Sequence, residues 1–237
     1  MQAFFDRTKM LLGSDAIDIL KASSVLIVGA GGVGSYAVEA IARCGVGRIG
    51  VCDSDAICES NINRQLFALN STISMKKVDV AKERILDINP CAAVKVYDFF
   101  FDETTLEKID FQSYDFVVDA IDSMESKILL IKTAKKYNIG IISALSAGNK
   151  LDPCAFEVDD IYNTSVCPIA KILRKRLKEE GVSSHRVVYS KEPCIRTHGT
   201  CDVAGKRNVG SISFVPSVMG LILAKETVLS LIEREKE

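Results

Sequence analysis

The chain has 237 residues, 48% of them hydrophobic and 26% charged, with a formal net charge of −1. That is enough apolar material to bury a real core, as a globular protein. No N-terminal stretch combines basic, apolar and cleavage regions, and no uninterrupted apolar run reaches the roughly 18 residues that span a bilayer, so a cytoplasmic protein without stable membrane insertion is expected. The charge is uneven. Residues 1–170 carry 17 basic and 23 acidic side chains, a balance of −6, whereas residues 171–207 carry 10 and 4, a balance of +6. A basic segment on an acidic body points to a polyanionic partner, and a solvated helix face with a charged loop is the alternative.

In chain order, short β-branched runs alternate with helical periodicity. Ser24-Val25-Leu26-Ile27-Val28-Gly29-Ala30-Gly31-Gly32-Val33-Gly34 joins a strand at 25–28 to a helix at 33–43. Gly29, Gly31, Gly32 and Gly34 are the candidate phosphate cradle. Gly29 and Gly31 permit a sharp turn and a close backbone approach, Gly34 lets the helix pack on the strand, and free helical N–H groups face the anion. A strand at 49–51 leads to Asp53, where a carboxylate can accept ribose hydroxyls. Next comes Ser60-Asn61-Ile62-Asn63-Arg64-Gln65. One strong cation among the amide side chains of Asn61, Asn63 and Gln65 suits a triphosphate, and a hydride cofactor has no need of it.

A helix at 76–88 opens with Lys76-Lys77, either of which can reach back toward phosphate oxygens by position. Strands at 93–97, 116–119 and 139–144 follow, with a helix at 124–137. Asp122, three residues after Asp119, is placed for magnesium, which favours one or two carboxylates plus phosphate oxygens; Asp119 is expected to be the structural member of the pair. Strands separated by helices imply right-handed crossovers and a doubly wound, mainly parallel α/β sheet of Rossmann-like type, with ligands beyond the carboxyl ends of the strands.

After Ala144 the character changes. Residues 146–168 read as a crossing loop and 168–180 as a helix, with Ile169, Ile172, Leu173 and Leu177 on one face and Lys171, Arg174, Lys175 and Lys178 on the other. Residues 190–209 have the composition of a mobile loop, and 210–215 look like a late strand before the final helix. The apolar tract 212–224, interrupted by Ser213, Pro216, Ser217 and Gly220, continues amphipathically to 232 and reads as a docking helix, with membrane-surface contact as the lesser alternative. The expected organisation is one domain over 1–237, with a nucleotide-binding half at 1–145 and a substrate half at 146–237.

The eight cysteines are expected to be reduced thiols, with Cys44, Cys52 and Cys58 in or near the core. No Cys-x-x-Cys pair is present. Cys194, His198 and Cys201 could hold a metal only with a fourth ligand such as His185 or Cys154, and loop residues without a metal role are the favoured reading.

The glycine loop, Asp53-Ser54-Asp55, the Ser60 to Gln65 segment, Lys77 and Asp119-Ala120-Ile121-Asp122 resemble the adenylating enzymes related to ubiquitin-activating enzyme, a superfamily that includes the molybdopterin- and thiamine-biosynthesis adenylyltransferases. The resemblance implies ATP and magnesium as cofactors, with Asp53 on the ribose, Asp55 beside it, Arg64 and Lys77 on the triphosphate and Asp122 on magnesium. It also implies that Arg7, in Phe5-Asp6-Arg7-Thr8, reaches into a neighbouring protomer's site, making the active unit a homodimer. Within the superfamily, Asp152-Pro153, Asp160-Ile161-Tyr162-Asn163-Thr164-Ser165, Pro168-Ile169-Ala170-Lys171, Val188-Tyr189-Ser190-Lys191-Glu192 and Gly210-Ser211-Ile212-Ser213-Phe214-Val215-Pro216-Ser217 look like the tRNA threonylcarbamoyladenosine dehydratases. That likeness implies ATP-dependent cyclisation of N6-threonylcarbamoyladenosine in tRNA through an acyl-adenylate, with Lys171, Arg174, Lys175, Lys178, Arg196, Lys206 and Arg207 holding tRNA phosphates. The alternative is an adenylyltransferase that activates the C-terminal glycine of a ubiquitin-like sulfur-carrier protein. Cys167 lies near the position of the nucleophilic cysteine in such relatives, where the dehydratases commonly have an acidic residue, and it is expected to be a buried packing group.

Overall fold

The computed structural model describes residues 5–196 and 209–234. Seven strands, β1 (Ser24–Val28), β2 (Arg48–Cys52), β3 (Ala93–Tyr97), β4 (Phe116–Asp119), β5 (Gly140–Ala144), β6 (Phe156–Asp160) and β7 (Arg186–Ser190), form one sheet. Their spatial order is β3-β2-β1-β4-β5-β7-β6, and every neighbouring pair is parallel except β6 with β7. The helices are α1 (Asp6–Leu12), α2 (Ser14–Ala22), α3 (Gly34–Cys44), α4 (Lys77–Ile88), α5 (Met124–Lys136), α6 (Pro168–Glu179) and α7 (Phe214–Arg234).

β1 shows why the sheet is covered on both faces. All five of its residues are buried, and alternation sends Val25 and Ile27 to one side, Leu26 and Val28 to the other. The first pair joins a cluster with Val38 and Ile41 of α3 and with Met219 and Leu223 of α7. The second joins Leu130 and Ile131 of α5 and Leu173 and Leu177 of α6. Strand order reverses beside β1, and its register pairs Val28 with both Cys52 and Asp119. Gly29, Asp53 and Ala120 therefore leave the sheet side by side, at the switch point where a doubly wound sheet opens a crevice.

The doubly wound architecture holds, while the C-terminal half differs from expectation in three places. Residues 146–168 are more than a crossing loop, because Phe156–Asp160 forms β6. Its acidic residues are poor strand formers, but an edge strand tolerates charge, and charge there discourages pairing with another chain. β7, with Val187, Val188 and Tyr189 buried, had no element assigned from sequence, and neither had α1 or α2. No strand forms over 210–215: Phe214 and Val215 already open α7, and Pro216 sits in its first turn, where the missing N–H forfeits no helical hydrogen bond.

On α6, Ile172 is 49% exposed, against the expectation that it faces the core, and Ala170 fills that position instead. The 21-residue α7 is long and apolar enough to cross a membrane, but 61% of its apolar window is buried within the fold. A Cβ at Gly220 would lie 2.3 Å from the carbonyl oxygen of Val33, so α7 rests directly on the start of α3. Glu226, buried in the same helix, pairs with Arg186 of β7 at 2.5 Å. These contacts make α7 the docking helix expected.

Candidate active site

The turn after β1 is shaped by glycine. Gly29 has φ +96°, and a Cβ there would sit 2.5 Å from the carbonyl oxygen of Ala120. At Gly34 an added Cβ would fall 1.7 Å from the carbonyl oxygen of Gly29, so only glycine lets α3 begin against the strand it follows. Gly31 and Gly32 face a cleft of about 690 Å³, within the usual size of a small-ligand site. The N-terminus of α3 gives this end a positive bias, although the Ser35 and Ala37 N–H groups already donate to the Gly31 and Val33 carbonyls at 3.0 and 3.2 Å.

The glycine turn and the end of β2 are tied together. Asp53 Oδ2 accepts from the Ala30 N–H at 2.7 Å, and Oδ1 accepts from the Asp55 N–H at 2.9 Å. Lys77, at the head of α4 and 5% exposed, donates from Nζ to Asp55 Oδ2 at 2.7 Å and lies 3.7 Å from Asp53 Oδ1. Of the two lysines, Lys77 lines the cleft, whereas Lys76 turns to Asp98 at 3.1 Å. An ammonium at a helix N-terminus is unfavourable by itself, and the two carboxylates hold it there. Asp55 is largely solvated, so the pair can reopen toward an anion.

Asn61 and Gln65 are buried and line the cleft, and Asn61 Oδ1 accepts from the Cys58 N–H at 3.3 Å. Arg64 lines it too, donating from Nη1 to the Ser60 carbonyl at 2.7 Å and to Asn63 Oδ1 at 3.0 Å. Asn63 does not line the cleft; its Nδ2 donates to the Ser211 carbonyl at 3.0 Å.

On the opposite wall stands Asp122, solvent-exposed at the cleft surface. Asp119 is fully buried and structural, as expected. Its Oδ2 accepts from Lys127 Nζ at 2.8 Å, its Oδ1 accepts from the Ile121 N–H at 3.1 Å, and Lys127 also donates to the Ala144 carbonyl at 3.0 Å. Lys127 therefore fastens together the ends of β4 and β5 and the turn that carries Asp122. No motif in the sequence singled it out; the available signal was a lysine on an inward-facing position of α5, two turns after an aspartate. Phe99, Phe100 and Phe101, at the Asp53 end of the cleft, were missed as well. Cys52 also lines it, but burial, aided by the charge of Asp53, pushes its thiol up to about 12, which makes it a poor nucleophile.

The ThiF family model matches residues 5–237. The chain belongs to the ThiF family. It is 41% identical over 240 residues to the tRNA threonylcarbamoyladenosine dehydratase of Bacillus subtilis, covering 97% of this chain and 94% of that relative. The E. coli tRNA N6-threonylcarbamoyladenosine dehydratase, solved in complex with AMP, superposes with a TM-score of 0.89 at 31% identity over 98% of this chain and 95% of that one. Its complex with ATP superposes equally well, at 30% identity.

The remaining candidates lie away from the cleft of this ThiF-family chain. Arg7, on α1, is exposed and does not line the cleft. On α6, Ile169 reaches the cleft wall, and Lys171, Lys175 and Lys178 are exposed. Arg174 is not a free surface cation: it is half-buried, with Nη1 donating to the Thr164 carbonyl at 2.8 Å. Arg196 is exposed; Lys206, Arg207, His198 and Cys201 lie outside the described residues.

Cys194 and Cys154 are exposed, but His185 is 1% exposed, with Nε2 and Ser143 Oγ 2.7 Å apart. Burial, with the charges of Lys135 and Lys127, lowers its pKa to about 3. It is a neutral core imidazole, remote from solvent where Cys194 stands. Cys167 is buried at 4% in the second core cluster, Cys44 is half-buried and Cys58, against expectation, is exposed on the turn that opens the Ser60 to Gln65 segment.

Proposed function

We propose that this ThiF-family chain is an ATP-dependent enzyme that dehydrates, by cyclisation, the N6-threonylcarbamoyladenosine of tRNA. The observation that carries the reading is a single continuous cleft in a chain 41% identical to a dehydratase of that name. One end holds the glycine turn, Asp53, Arg64 and Lys77, the β5 end is walled by Ser146, Ala147 and Gly148, and Ser211 lines the cleft between them. A nucleotide suits the first end because the tight turn that Gly29 and Gly34 permit brings Gly31 and Gly32, which have no side chain, to the cleft surface, where backbone can approach a phosphate. The second end leaves room for an acyl group beside the α-phosphate.

In this reading the threonylcarbamoyl carboxylate attacks the α-phosphorus of ATP, and pyrophosphate leaves. A nitrogen or oxygen already present in the modified base then closes on the activated carbonyl, and AMP departs with the carboxylate oxygen. The second step is intramolecular, so positioning supplies much of its rate, and no enzyme nucleophile is required. Asp53 serves the ribose; Arg64 and Lys77 offset phosphate charge, and Arg7 does so from a second protomer of a homodimer. Asp122, a carboxylate exposed at the cleft wall, suits magnesium, which would neutralise phosphate charge when bound. Lys171, Lys175, Lys178 and Arg196 are exposed and in this reading hold tRNA phosphates, affinity without sequence information. Residues 1–145 act as the nucleotide half and 146–237 as the substrate half, in the cytoplasm. Burial of Cys167 counts against the sulfur-carrier alternative.

The test is mass spectrometry of nucleosides from threonylcarbamoyladenosine-bearing tRNA incubated with enzyme and ATP. Loss of one water from that nucleoside, with stoichiometric AMP, is expected. AMP formation that responds to a small carrier protein and not to modified tRNA would refute the assignment.

A further inference from the structure

Asn63 belongs to the same polar segment as Arg64, yet its side chain faces out of the cleft and spends both ends of its amide elsewhere. Oδ1 accepts from Arg64 Nη1 at 3.0 Å, and Nδ2 donates to the carbonyl of Ser211, 148 residues away, at 3.0 Å. One rigid, planar group thus joins the candidate phosphate-holding cation to a strap, residues 209–213, that runs along the cleft into α7.

Independent contacts show that the strap is part of the site wall. Val209 and Ser211 line the cleft. From the β5 side, Asn149, in the left-handed region at φ 57°, grips the strap twice: its N–H donates to the Gly210 carbonyl at 2.8 Å, and its Oδ1 accepts from the Gly210 N–H at 2.7 Å. At the far end of the strap, Pro216 Cβ and Arg64 Cγ each lie 3.4 Å from where a Cβ on Gly32 would be. Arg64 and the chain entering α7 therefore close over the same glycine of the phosphate cradle.

We propose that Asn63 is a positioning residue that couples the Arg64 guanidinium to the 209–213 strap, so that an anion engaged by Arg64 orders the wall of the acyl end of the cleft. The inference rests on the ATP-dependent reading above. When Arg64 turns Nη1 toward a phosphate, the acceptor that held it moves in the same plane as the donor that holds Ser211. A nucleotide can shift the strap only through such a difference in contacts between its free and bound arrangements. The two asparagines divide the work: Asn149 fixes where the strap lies, and Asn63 makes its order depend on the phosphate site.

The experiment follows amide hydrogen exchange of residues 210–213 with and without a non-hydrolysable ATP analogue carrying a methylene between the α- and β-phosphates, with calorimetry of the same samples. In the native enzyme the analogue should slow exchange in the strap. In Asn63→Ala it should still bind, within about fivefold of native affinity, the range of one lost hydrogen bond, but strap exchange should no longer respond. Asn63→Asp keeps an acceptor for Arg64 and loses the donor to Ser211, so it should show the same uncoupling. Asn149→Gly keeps the left-handed backbone and the Asn63 bridge, and should raise strap exchange in both states while preserving its response. A native-like response in Asn63→Ala and Asn63→Asp, or no response in native enzyme that binds the analogue, would overturn the proposal. If the native enzyme binds no nucleotide, the proposal falls together with the ATP reading. If the strap responds as expected while modified tRNA loses no water, the bridge stands and the tRNA assignment alone is lost.

Discussion

Replacing Lys127 by Met removes one partner of a charge pair whose side chains are 3% and 0% exposed. The methionine matches the lysine stem in bulk, so the change is electrostatic more than steric. Asp119 is left as a buried carboxylate with, among the described residues, only the Ile121 N–H still donating to it, and the Ala144 carbonyl loses its Lys127 donor. Removing one member of a buried pair costs about 3–5 kcal/mol, a large part of the about 5–15 kcal/mol by which a domain is stable. Urea unfolding of Lys127→Met should show a loss in that range. Adding Asp119→Asn removes the orphaned charge while keeping an acceptor for Ile121, and should restore stability to within about 2 kcal/mol of native. A loss below about 1 kcal/mol in the single variant, or a double variant as unstable as the single, would refute the view that this pair fastens β4, β5 and the Asp122 turn together.

Asp122→Ala should unfold at the native temperature, because the side chain is exposed, yet release no AMP; normal turnover would remove the magnesium role. Replacing Lys171, Lys175 and Lys178 together by Ala should weaken tRNA binding, flatten its logarithmic salt dependence by about two units and leave ATP affinity unchanged; an unaltered salt slope would take α6 out of the tRNA surface. His185 makes stability fall as pH falls. Its folded pKa of about 3 lies below the ordinary 6.5, so between those values the unfolded chain binds a proton that the folded chain refuses. From pH 6.5 to 5 that contributes about 2 kcal/mol of lost stability, readable by urea unfolding at the two pH values and absent in His185→Gln. An equal pH dependence in that variant would show that other groups carry it.

From Val25 to Ala144 the fold was legible because each element obeys one period, whereas α1 and α2 before it were not assigned. Val25 to Val28 is a buried strand with a glycine turn at its end, and the alternation through Ala144 leaves only a parallel sheet as a solution. The second half mixes signals. Phe156 to Asp160 carries three acidic residues, which read as loop, and it is a strand because the Val187 to Tyr189 run beside it offers a partner edge. Residues 210–215 alternate like a strand, but β3 and β6 form the sheet's two edges, and the proline that follows suits a first helical turn better than a ladder.

The site was legible as far as motif chemistry reaches and no further. Sequence shows where charges are, and not which of them are already spent. Arg174 and Lys175 look equivalent on a helical wheel, yet one guanidinium is bonded to Thr164 while the neighbouring ammonium lies in solvent, 3.8 Å from Glu179. Lys76 and Lys77 are adjacent, and only the register of α4 decides that the second enters the cleft. Lys127 and Asn63 make the point most sharply, because beside a side-chain partner nearer in sequence, Asp119 and Arg64, each reaches a more distant one: Lys127 the Ala144 carbonyl, Asn63 the Ser211 carbonyl. Both distant partners are backbone carbonyls, which any residue type supplies. A contact whose acceptor carries no side-chain identity leaves no residue pattern to read, so such positioning groups emerge only when the folded chain brings the two segments together.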